Sequence, residues 1–143
     1  MSVAQILAEK GRTVVTIGSE ATLAEAVELL TRHRIGALVV VDPSGAVGGI
    51  VSERDVVRAV GQLGMEGLNQ TVADRMTRKV ATCTPTASLQ ELMTMMTEGK
   101  FRHVPVVEDG SLGGMVSIGD IVKHRLAEME AESQALRDYI GAA

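Results

Sequence analysis

A motif that occurs twice is the strongest constraint on how this chain can fold. Residues 49–55 read Gly-Ile-Val-Ser-Glu-Arg-Asp, and residues 114–120 read Gly-Met-Val-Ser-Ile-Gly-Asp. Each copy has a glycine, two apolar residues, a serine, two spacer residues and an aspartate. Because a hydroxyl and a carboxylate recur after the same apolar run, the chain is expected to fold as two related units.

The repeat extends on both sides of this motif. Positions 66 apart agree from the first strand onward, and a one-residue difference in a turn changes the offset to 65 at the motif. Each unit contains a capping box, Thr22 to Glu25 in the first and Ser88 to Glu91 in the second, followed by apolar residues at helical spacing. The order predicted for each unit is therefore β-α-β-β-α.

The strands of each unit are predicted from short β-branched runs bounded by turn residues. A turn is expected at residues 42–45, and the Asp109-Gly110 pair predicts a hairpin. Pro105 lacks an N–H group and should lie at a strand edge or bulge. The glycines at residues 61–69 indicate a linker between the units. The expected strands are 13–17, 37–41, about 46–51, 80–83, 103–107 and 112–116.

One such unit is too small to bury a stable core alone. The predicted fold class is therefore mixed, α+β (α/β), with two β-α-β-β-α repeats packed as a pseudo-two-fold pair, sheet to sheet, and with the helices outside the sheets. The expected boundaries are residues 8–66 for the first domain, 75–132 for the second, and 133–143 for a C-terminal helix extension.

The last helix is predicted to run from about residue 118 towards residue 140, and it carries an apolar stripe. Steps of four and three residues alternate along this stripe, which is a short heptad pattern. The stripe could pack on the chain's own core or could contact another subunit. Its members are Val122, Leu126, Met129, Ser133, Leu136 and Ile140.

Composition excludes several classes of function. A net charge of −4 and only two aromatic residues, Phe101 and Tyr139, argue against a nucleic-acid-binding surface. No apolar run is long enough to span a membrane, and no secretory signal is evident at the N-terminus. The single cysteine, Cys83, cannot form an internal disulfide, so a cytoplasmic location is expected.

The Ser-x-x-Asp motif at a strand-to-helix junction has two physical interpretations. The serine can cap the helix, with the aspartate favoured by the positive end of the helix dipole. Alternatively, the free N–H groups and the hydroxyl can bind phosphate, while the carboxylate accepts hydrogen bonds from the two hydroxyls of a ribose. Glycines before the serine would let a ligand approach the backbone. Duplication of the whole set favours the ligand interpretation.

The repeat order, together with the two Gly-hydrophobic-Val-Ser-x-x-Asp motifs, resembles the cystathionine-β-synthase (CBS) domain. Two such domains in tandem form a Bateman module, and the resemblance covers nearly the whole chain. Residues 102–106, Arg-His-Val-Pro-Val, also look like the strand before the hairpin in this family. The resemblance implies a ligand that contains adenosine, such as AMP, ADP, ATP or NAD(H), in clefts between the two domains.

The resemblance also implies roles for particular residues. Asp55 and Asp120 would hold ribose hydroxyls, and Ser52 and Ser117 would contact phosphate or the edge of the ribose. The backbone at residues 16–17 and 82–83 would read the adenine edge, and residues 36–37 and 102–103 would line the clefts. The further positions implied are Thr16, Ile17, Gly36, Ala37, Arg54, Thr82, Cys83, Arg102, His103, Pro105 and Gly119.

Basic residues could neutralise the phosphate of such a ligand, and Arg54 and Arg102 are the preferred pair. Arg54 stands where the second motif has Gly119, which predicts two unequal sites. No histidine spacing indicates a metal site, and no nucleophile or second carboxylate indicates a catalytic site. The basic candidates are Arg34, Arg54, Lys100, Arg102 and His103.

The expected function is therefore a non-catalytic sensor of energy or redox state. It would bind an adenine nucleotide, form a homodimer and signal to a separate protein target. Four alternatives remain open: an enzyme, a structural dimerisation module without a ligand, an S-adenosylmethionine sensor, and a regulatory amino-acid-binding fold. The Ser-x-x-Asp repeat disfavours the last of these.

Overall fold

A computed structural model describes residues 1–142 and shows the mixed helix and sheet fold expected from the sequence. The boundaries of the elements are as follows: α1 Val3–Lys10, β1 Thr16–Ile17, α2 Leu23–His33, β2 Ala37–Val41, β3 Val47–Ser52, α3 Glu53–Leu63, a 3₁₀ helix Gly64–Asn69, α4 Val72–Arg75, α5 Leu89–Gly99, β4 His103–Glu108, β5 Ser111–Ser117 and α6 Ile118–Ala142.

The two sheets have the same topology. In the first, β1 runs parallel to β2, and β2 runs antiparallel to β3. In the second, β4 and β5 are antiparallel, and Cys83 alone adds a parallel bridge to Val106. This bridge corresponds to the Ile17–Val40 pair of the first sheet, since both of its residues lie 66 positions later in the chain. The strands expected at 13–17 and 80–83 are therefore shorter than predicted, because only their last residues pair with the neighbouring strand.

The helix starts follow the predicted capping boxes. The hydroxyl of Thr22 accepts a hydrogen bond from the Glu25 N–H at 3.2 Å, and the Glu25 carboxylate accepts one from the Thr22 N–H at 2.9 Å. Ser88 and Glu91 make the same two bonds at 3.0 and 3.3 Å. Each pair satisfies backbone N–H groups that would otherwise lack a partner in the first turn.

The second hairpin also forms where it was predicted. Asp109 and Gly110 both have positive φ angles, 52° and 79°, as a two-residue type I′ turn requires. Pro105 differs from expectation because it lies within β4, flanked by β5 on one side and by Cys83 on the other. It pairs with Met115, its carbonyl accepts the Cys83 N–H at 3.0 Å, and the register shift follows after Val106.

The buried side chains form two separate clusters, not one core shared between the sheets. The first cluster holds the apolar face of α2 together with β2 and β3, and the second holds the corresponding parts of α5, β4 and β5. Each cluster is completed by a helix from outside its own β-α-β-β-α segment. Val72 of α4 belongs to the first cluster, and Val3, Ile6 and Leu7 of α1 belong to the second.

Backbone hydrogen bonds fix this exchange of helices. The Val72 N–H donates to the Ala21 carbonyl at 2.7 Å, and the Val3 N–H donates to the Ala87 carbonyl at 2.9 Å. The N-terminal helix α1 therefore packs on the second unit, whereas α4, which follows the first unit in sequence, packs on the first. The boundaries 8–66, 75–132 and 133–143 stay a prediction.

The segment expected to be a linker, residues 61–69, is instead helical. Helix α3 continues to Leu63, and the 3₁₀ helix follows directly. A Cβ atom at Gly67 would lie 2.5 Å from the carbonyl oxygen of Ala59, so this glycine permits the 3₁₀ helix to pack against α3. Gly67 therefore serves close helix packing, whereas a Cβ atom at Gly61 or Gly64 would have no neighbour within 4 Å.

The motif glycines have a packing role, which is separate from the ligand approach that the sequence suggested. A Cβ atom at Gly49 would lie 2.8 Å from the carbonyl oxygen of Thr77 and 2.8 Å from the sulfur of Met76. At Gly114 it would lie 2.8 Å from a methyl carbon of Leu7. These glycines admit the segment after α4 and the helix α1, and thereby allow the exchanged helices to reach their clusters.

We predict that Gly49→Ala lowers the free energy of unfolding by about 1–3 kcal/mol, because its methyl group would overlap a backbone carbonyl that cannot rotate away. Gly48→Ala is the matched control, since its Cβ would lie 3.7 Å from the nearest atom, the carbonyl oxygen of Val40. Urea unfolding of both variants tests this. Equal stability of the two variants would contradict the close approach at Gly49.

Candidate functional site

One cavity of about 560 Å³ lies between the two units, and we call it the first cleft. The junction of β3 and α3 supplies one wall. The chain after α4 supplies a second wall, and the start of β4 with the residues before it supplies a third. The lining residues are Gly36, Ala37, Ile50, Ser52, Glu53, Arg54, Asp55, Arg58, Thr77, Lys79, Val80, Ala81, Lys100, Phe101, Arg102 and His103.

The first Ser-x-x-Asp motif borders this cleft and is held by its own hydrogen bonds. The Asp55 carboxylate accepts the Ser52 backbone N–H at 2.8 Å and the Ser52 hydroxyl at 3.1 Å, in both cases at Oδ2. In these bonds the aspartate side chain accepts the backbone N–H of the N-cap serine, which is one half of a capping box. Both of these bonds are made by Oδ2, so Oδ1 of Asp55 has no hydrogen-bond partner within residues 1–142.

The charges around the first cleft are unbalanced in favour of cations. Arg54, Arg58, Lys79, Lys100 and Arg102 outnumber the two carboxylates, Glu53 and Asp55, although the whole chain has a net charge of −4. Within residues 1–142, none of these five cations forms an ion pair with a carboxylate. Unpaired cations that converge on one cavity favour an anionic ligand, because the ligand would neutralise them.

The second Ser-x-x-Asp motif has the same two bonds, one further bond from the Asp120 N–H to the Ser117 hydroxyl at 3.2 Å, and different surroundings. Oδ2 of Asp120 accepts the Ser117 N–H at 2.8 Å and the Ser117 hydroxyl at 3.0 Å. It also accepts the ammonium group of Lys10 at 2.5 Å, and Lys10 donates to the Met115 carbonyl at 2.8 Å. The carboxylate that corresponds to Asp55 is therefore already paired with a lysine from α1.

The ionisation of Asp120 reflects this pairing. Burial raises the pKa of its carboxyl, but the hydrogen bond and charge of Lys10, together with the bonds from Ser117, outweigh burial and leave the pKa below its usual value. The net lowering means that Asp120 is ionised at neutral pH. The Lys10–Asp120 pair is accordingly a genuine ion pair at that pH.

Two contacts link the N-terminal segment that carries Lys10 to α6. The buried His124 side chain of α6 lies 3.5 Å from the Glu9 carboxylate, and the amino group of Met1 lies 3.5 Å from the Glu128 carboxylate. In the repeat, residues 3–10 align with residues 72–79, so Lys10 corresponds to Lys79. The two equivalent lysines differ because Lys79 lines the open first cleft and Lys10 is bonded to an aspartate.

His103 lies between the two motifs. It pairs with Ser117 across the β4–β5 ladder and also lines the first cleft. Burial lowers the pKa of its imidazole, and the charge of Lys10 lowers the pKa further, while Asp120 opposes the shift. The imidazole is therefore neutral at neutral pH and can act as either a hydrogen-bond donor or an acceptor.

The first cleft brings together about half of the residues implied by the resemblance. Those that line it are Gly36, Ala37, Ser52, Arg54, Asp55, Arg102 and His103. The other implied residues do not line this cavity, and their binding roles stay predictions. They are Thr16, Ile17, Thr82, Cys83, Pro105, Ser117, Gly119 and Asp120.

Two residues that do not line the first cleft, Cys83 and Pro105, use backbone groups in strand pairing. The Cys83 N–H donates to the Pro105 carbonyl at 3.0 Å, and the Cys83 carbonyl accepts the Val107 N–H at 2.8 Å. Burial raises the pKa of the Cys83 thiol to about 11, so the thiol is protonated and unreactive at neutral pH. Cys83 is therefore a buried apolar residue in the second cluster, as its apolar neighbours in the sequence suggested.

Sequence reasoning missed three basic residues of these sites. Arg58 follows Arg54 by one helical turn, so their shared face on α3 could have been inferred from the spacing. Lys79 and Lys10 could have been found by extending the repeat to the segments before each unit. Their positions depend on the exchange of α1 and α4, for which the sequence carries no separate signal.

Two further observations bear on the kind of site. Residues 1–142 contain no group of three or more histidine, cysteine, aspartate or glutamate side chains placed to hold a metal ion. Of the helices in this described part of the chain, none combines the length and the apolar character that a membrane span needs.

Comparison with known proteins gives consistent relatives. The chain is 41% identical over 123 residues to the CBS domain-containing protein CBSX3, mitochondrial, of Arabidopsis thaliana, an alignment that covers 83% of this chain and 60% of that protein. It is 28% identical over 120 residues to the CBS domain-containing protein YhcV of Bacillus subtilis, which covers 84% of each. The chain thus spans only part of the plant relative.

Solved structures share the whole arrangement. The CBS-domain containing protein ATU1752 from Agrobacterium tumefaciens is 47% identical, with a TM-score of 0.84, over 87% of this chain and 99% of that chain. The CBS domain pair of protein MJ0100, in complex with 5′-methylthioadenosine and S-adenosyl-L-methionine, is 27% identical. Its TM-score is 0.80, over 90% of this chain and 98% of that chain.

The family comparison matches the two units separately. Residues 4–62 and residues 72–127 each match the CBS domain, so together they account for most of the chain. The matched segments contain both Ser-x-x-Asp motifs and the residues that line the first cleft. The chain belongs to the CBS domain family and is a tandem pair of CBS domains.

Proposed function

We propose that this chain is a regulatory module that binds one anionic adenine nucleotide, AMP, ADP, ATP or NAD(H), in the first cleft. The observation that carries the proposal is the set of five unpaired cations facing a cavity that also contains a fixed aspartate. Asp55 would accept the ribose hydroxyls with its second carboxylate oxygen. The arginines and lysines would neutralise the phosphates.

The position of the cations suggests how binding becomes a signal. Arg54 and Arg58 belong to α3 of the first unit, whereas Lys100 and Arg102 precede β4 of the second. A phosphate bound between them would attract both units at once. Binding would therefore stabilise the arrangement in which the two units lie closest together, and a partner that prefers this arrangement would respond to the nucleotide.

The Asp120 site differs from the first cleft, and we expect that it does not bind a nucleotide while Lys10 is bonded to Asp120. A ribose that reaches Asp120 must displace the Lys10 ammonium, which is held by the carboxylate and by the Met115 carbonyl. Gly119 also supplies no charge where the first motif has Arg54. We therefore expect one nucleotide per chain, with Lys10 blocking the second site.

The charge of the first cleft separates the alternative ligands. 5′-Methylthioadenosine is neutral, and S-adenosyl-L-methionine carries a positively charged sulfonium. Five unpaired cations would repel a sulfonium and attract a phosphate. The cleft of this chain therefore favours a nucleotide over S-adenosylmethionine as the ligand. A dimerisation module without a ligand would not explain why these five cations lie around one cavity.

Three further parts of the proposal concern the protein's setting. No catalytic family is indicated by the comparisons, and we propose a regulatory role without catalysis. The single buried thiol, Cys83, supports a reducing compartment such as the cytoplasm. We also propose that the module acts as a homodimer on a separate protein target, without contacting nucleic acid or membrane.

Nucleotide binding should depend on Asp55 and Arg102. We predict that Asp55→Asn and Arg102→Ala each weaken ATP binding about tenfold or more, because each removes a charge-assisted contact. Arg32→Ala is the control, since Arg32 pairs with Glu28 on α2 outside the cleft. Calorimetric titration with ATP, AMP, NAD and S-adenosylmethionine tests both the ligand and the site. Binding of none of these compounds to the wild-type chain would contradict the proposal.

The number of bound nucleotides tests the role of Lys10. We predict one ATP per wild-type chain and two per Lys10→Met chain, because the variant frees the carboxylate of Asp120. Lys123→Met removes an exposed lysine of α6 and should leave one site. Equilibrium dialysis measures the ratio. Two sites in the wild-type chain, or one site in Lys10→Met, would show that Lys10 does not block the Asp120 site.

The pH dependence of stability tests the Lys10–Asp120 pair without any ligand. The lowered pKa of Asp120 means that its contribution is present above its pKa in the unfolded chain and is lost as the pH falls through its pKa in the folded chain. We predict that Asp120→Asn lowers the free energy of unfolding by about 1 kcal/mol at neutral pH and by much less at a pH below the pKa of Asp120 in the folded chain. Asp55 makes the corresponding bonds to Ser52 but has no lysine partner in the described part of the chain. Asp55→Asn should therefore lower the free energy of unfolding by less than Asp120→Asn does, measured by urea unfolding at neutral pH. Equal losses would contradict the pair.

A further inference from the structure

The C-terminal half of α6 extends beyond the body of the protein. Residues 129–141 are all exposed, although α6 begins with Ile121 and His124 buried in the second unit. An isolated helix of this length is only marginally stable in water, even with good helix-forming residues. This part of α6 therefore gains little stabilisation from packing within its own chain.

The apolar side chains of this segment lie on one face. Leu126 is 60% exposed, Leu136 is 59% exposed and Ile140 is 64% exposed. The heptad stripe thus does not pack on the chain's own core, which excludes one of the two interpretations that the sequence left open. In heptad terms, Leu126, Ser133 and Ile140 occupy the a positions, and Met129 and Leu136 occupy the d positions.

We propose that this face pairs with the same face of a second copy, as a parallel two-stranded coiled coil. The charges beside the stripe carry the choice of partner. In a parallel pair, each g residue lies near the e residue five positions later on the other helix. Arg125 at g would face Glu130 at e, and Glu132 at g would face Arg137 at e. Both contacts are attractive, so the face is complementary to itself in this register.

Ser133 supports the same register. It is the one polar residue among the five a and d positions from 126 to 140. In a parallel, in-register pair, Ser133 faces its own copy, and the two hydroxyls can hydrogen-bond to each other. In an antiparallel pair centred on this segment, it would instead face a methionine or leucine without a polar partner. A single polar a position is a common device for fixing register and orientation.

The inference rests on the homodimer proposed above and names the surface that forms it. It also places the dimer contact away from the first cleft, since α6 residues do not line that cavity. Loss of this contact should therefore leave nucleotide binding unchanged. This separates a failure of the dimer from a failure of the binding function.

The first test exchanges charges in the full-length chain. One variant, E130R/E132R, makes all four flanking positions basic, and another, R125E/R137E, makes them all acidic. Each variant alone should be monomeric in sedimentation equilibrium, at concentrations where the wild type is dimeric, and an equimolar mixture should form a heterodimer. These side chains are exposed or half-buried, so the fold should be retained, which circular dichroism and ATP binding would show.

The second test fixes the orientation. Oxidised S133C should give a disulfide-linked dimer, whereas A135C, on the outer face of the same helix, should not, and the buried Cys83 should not contribute.

A dimeric wild type whose charge variants also remain dimeric would overturn the coiled coil but not the homodimer. A monomeric wild type would overturn both. A dimer without the S133C cross-link would overturn the parallel register, and a heteromeric α6 contact without self-association would assign the face to another protein.

Discussion

The exchange of α1 and α4 between the units is the constraint on which the rest of the structure depends. Each β-α-β-β-α unit lacks one layer of apolar side chains. The second unit receives this layer from α1, which precedes the first unit, and the first unit receives it from α4, which lies between the two units. Gly49 and Gly114 leave room for these segments, and backbone hydrogen bonds hold the two helices in place. The two units are thus tied together by packing before any ligand is present.

The same exchange makes two related sites unequal. In both Ser-x-x-Asp motifs the aspartate accepts the N–H and the hydroxyl of the serine, so the repeated sequence produces these bonds twice. The surroundings differ because α1 brings Lys10 onto Asp120, whereas the chain after α4 leaves Lys79 at the edge of an open cavity. The charge of Asp120 is neutralised by Lys10, whereas cations outnumber carboxylates in the cleft that Asp55 borders. The capping and ligand-binding interpretations are therefore compatible, since a cap can also orient the carboxylate for a ligand.

Much of this could be predicted from the sequence. The capping boxes at Thr22 and Ser88, the Asp109-Gly110 hairpin and the element order follow from local rules, and the resemblance to the CBS domain is shown by the family match. The first cleft was partly predicted, through Asp55, Arg102 and His103. The bond between Lys10 and Asp120 was not predicted, because it spans 110 residues and depends on the exchange of helices. The linker was misassigned because glycine is also used for close helix packing.

The most direct measurement of the central claim is a crystal structure of the protein grown with ATP. The account predicts one nucleotide per chain, with its ribose on Asp55, its phosphates among Arg54, Arg58, Lys100 and Arg102, and Lys10 still bonded to Asp120. Density for the nucleotide at Asp120, or an empty first cleft at saturating ATP, would contradict it.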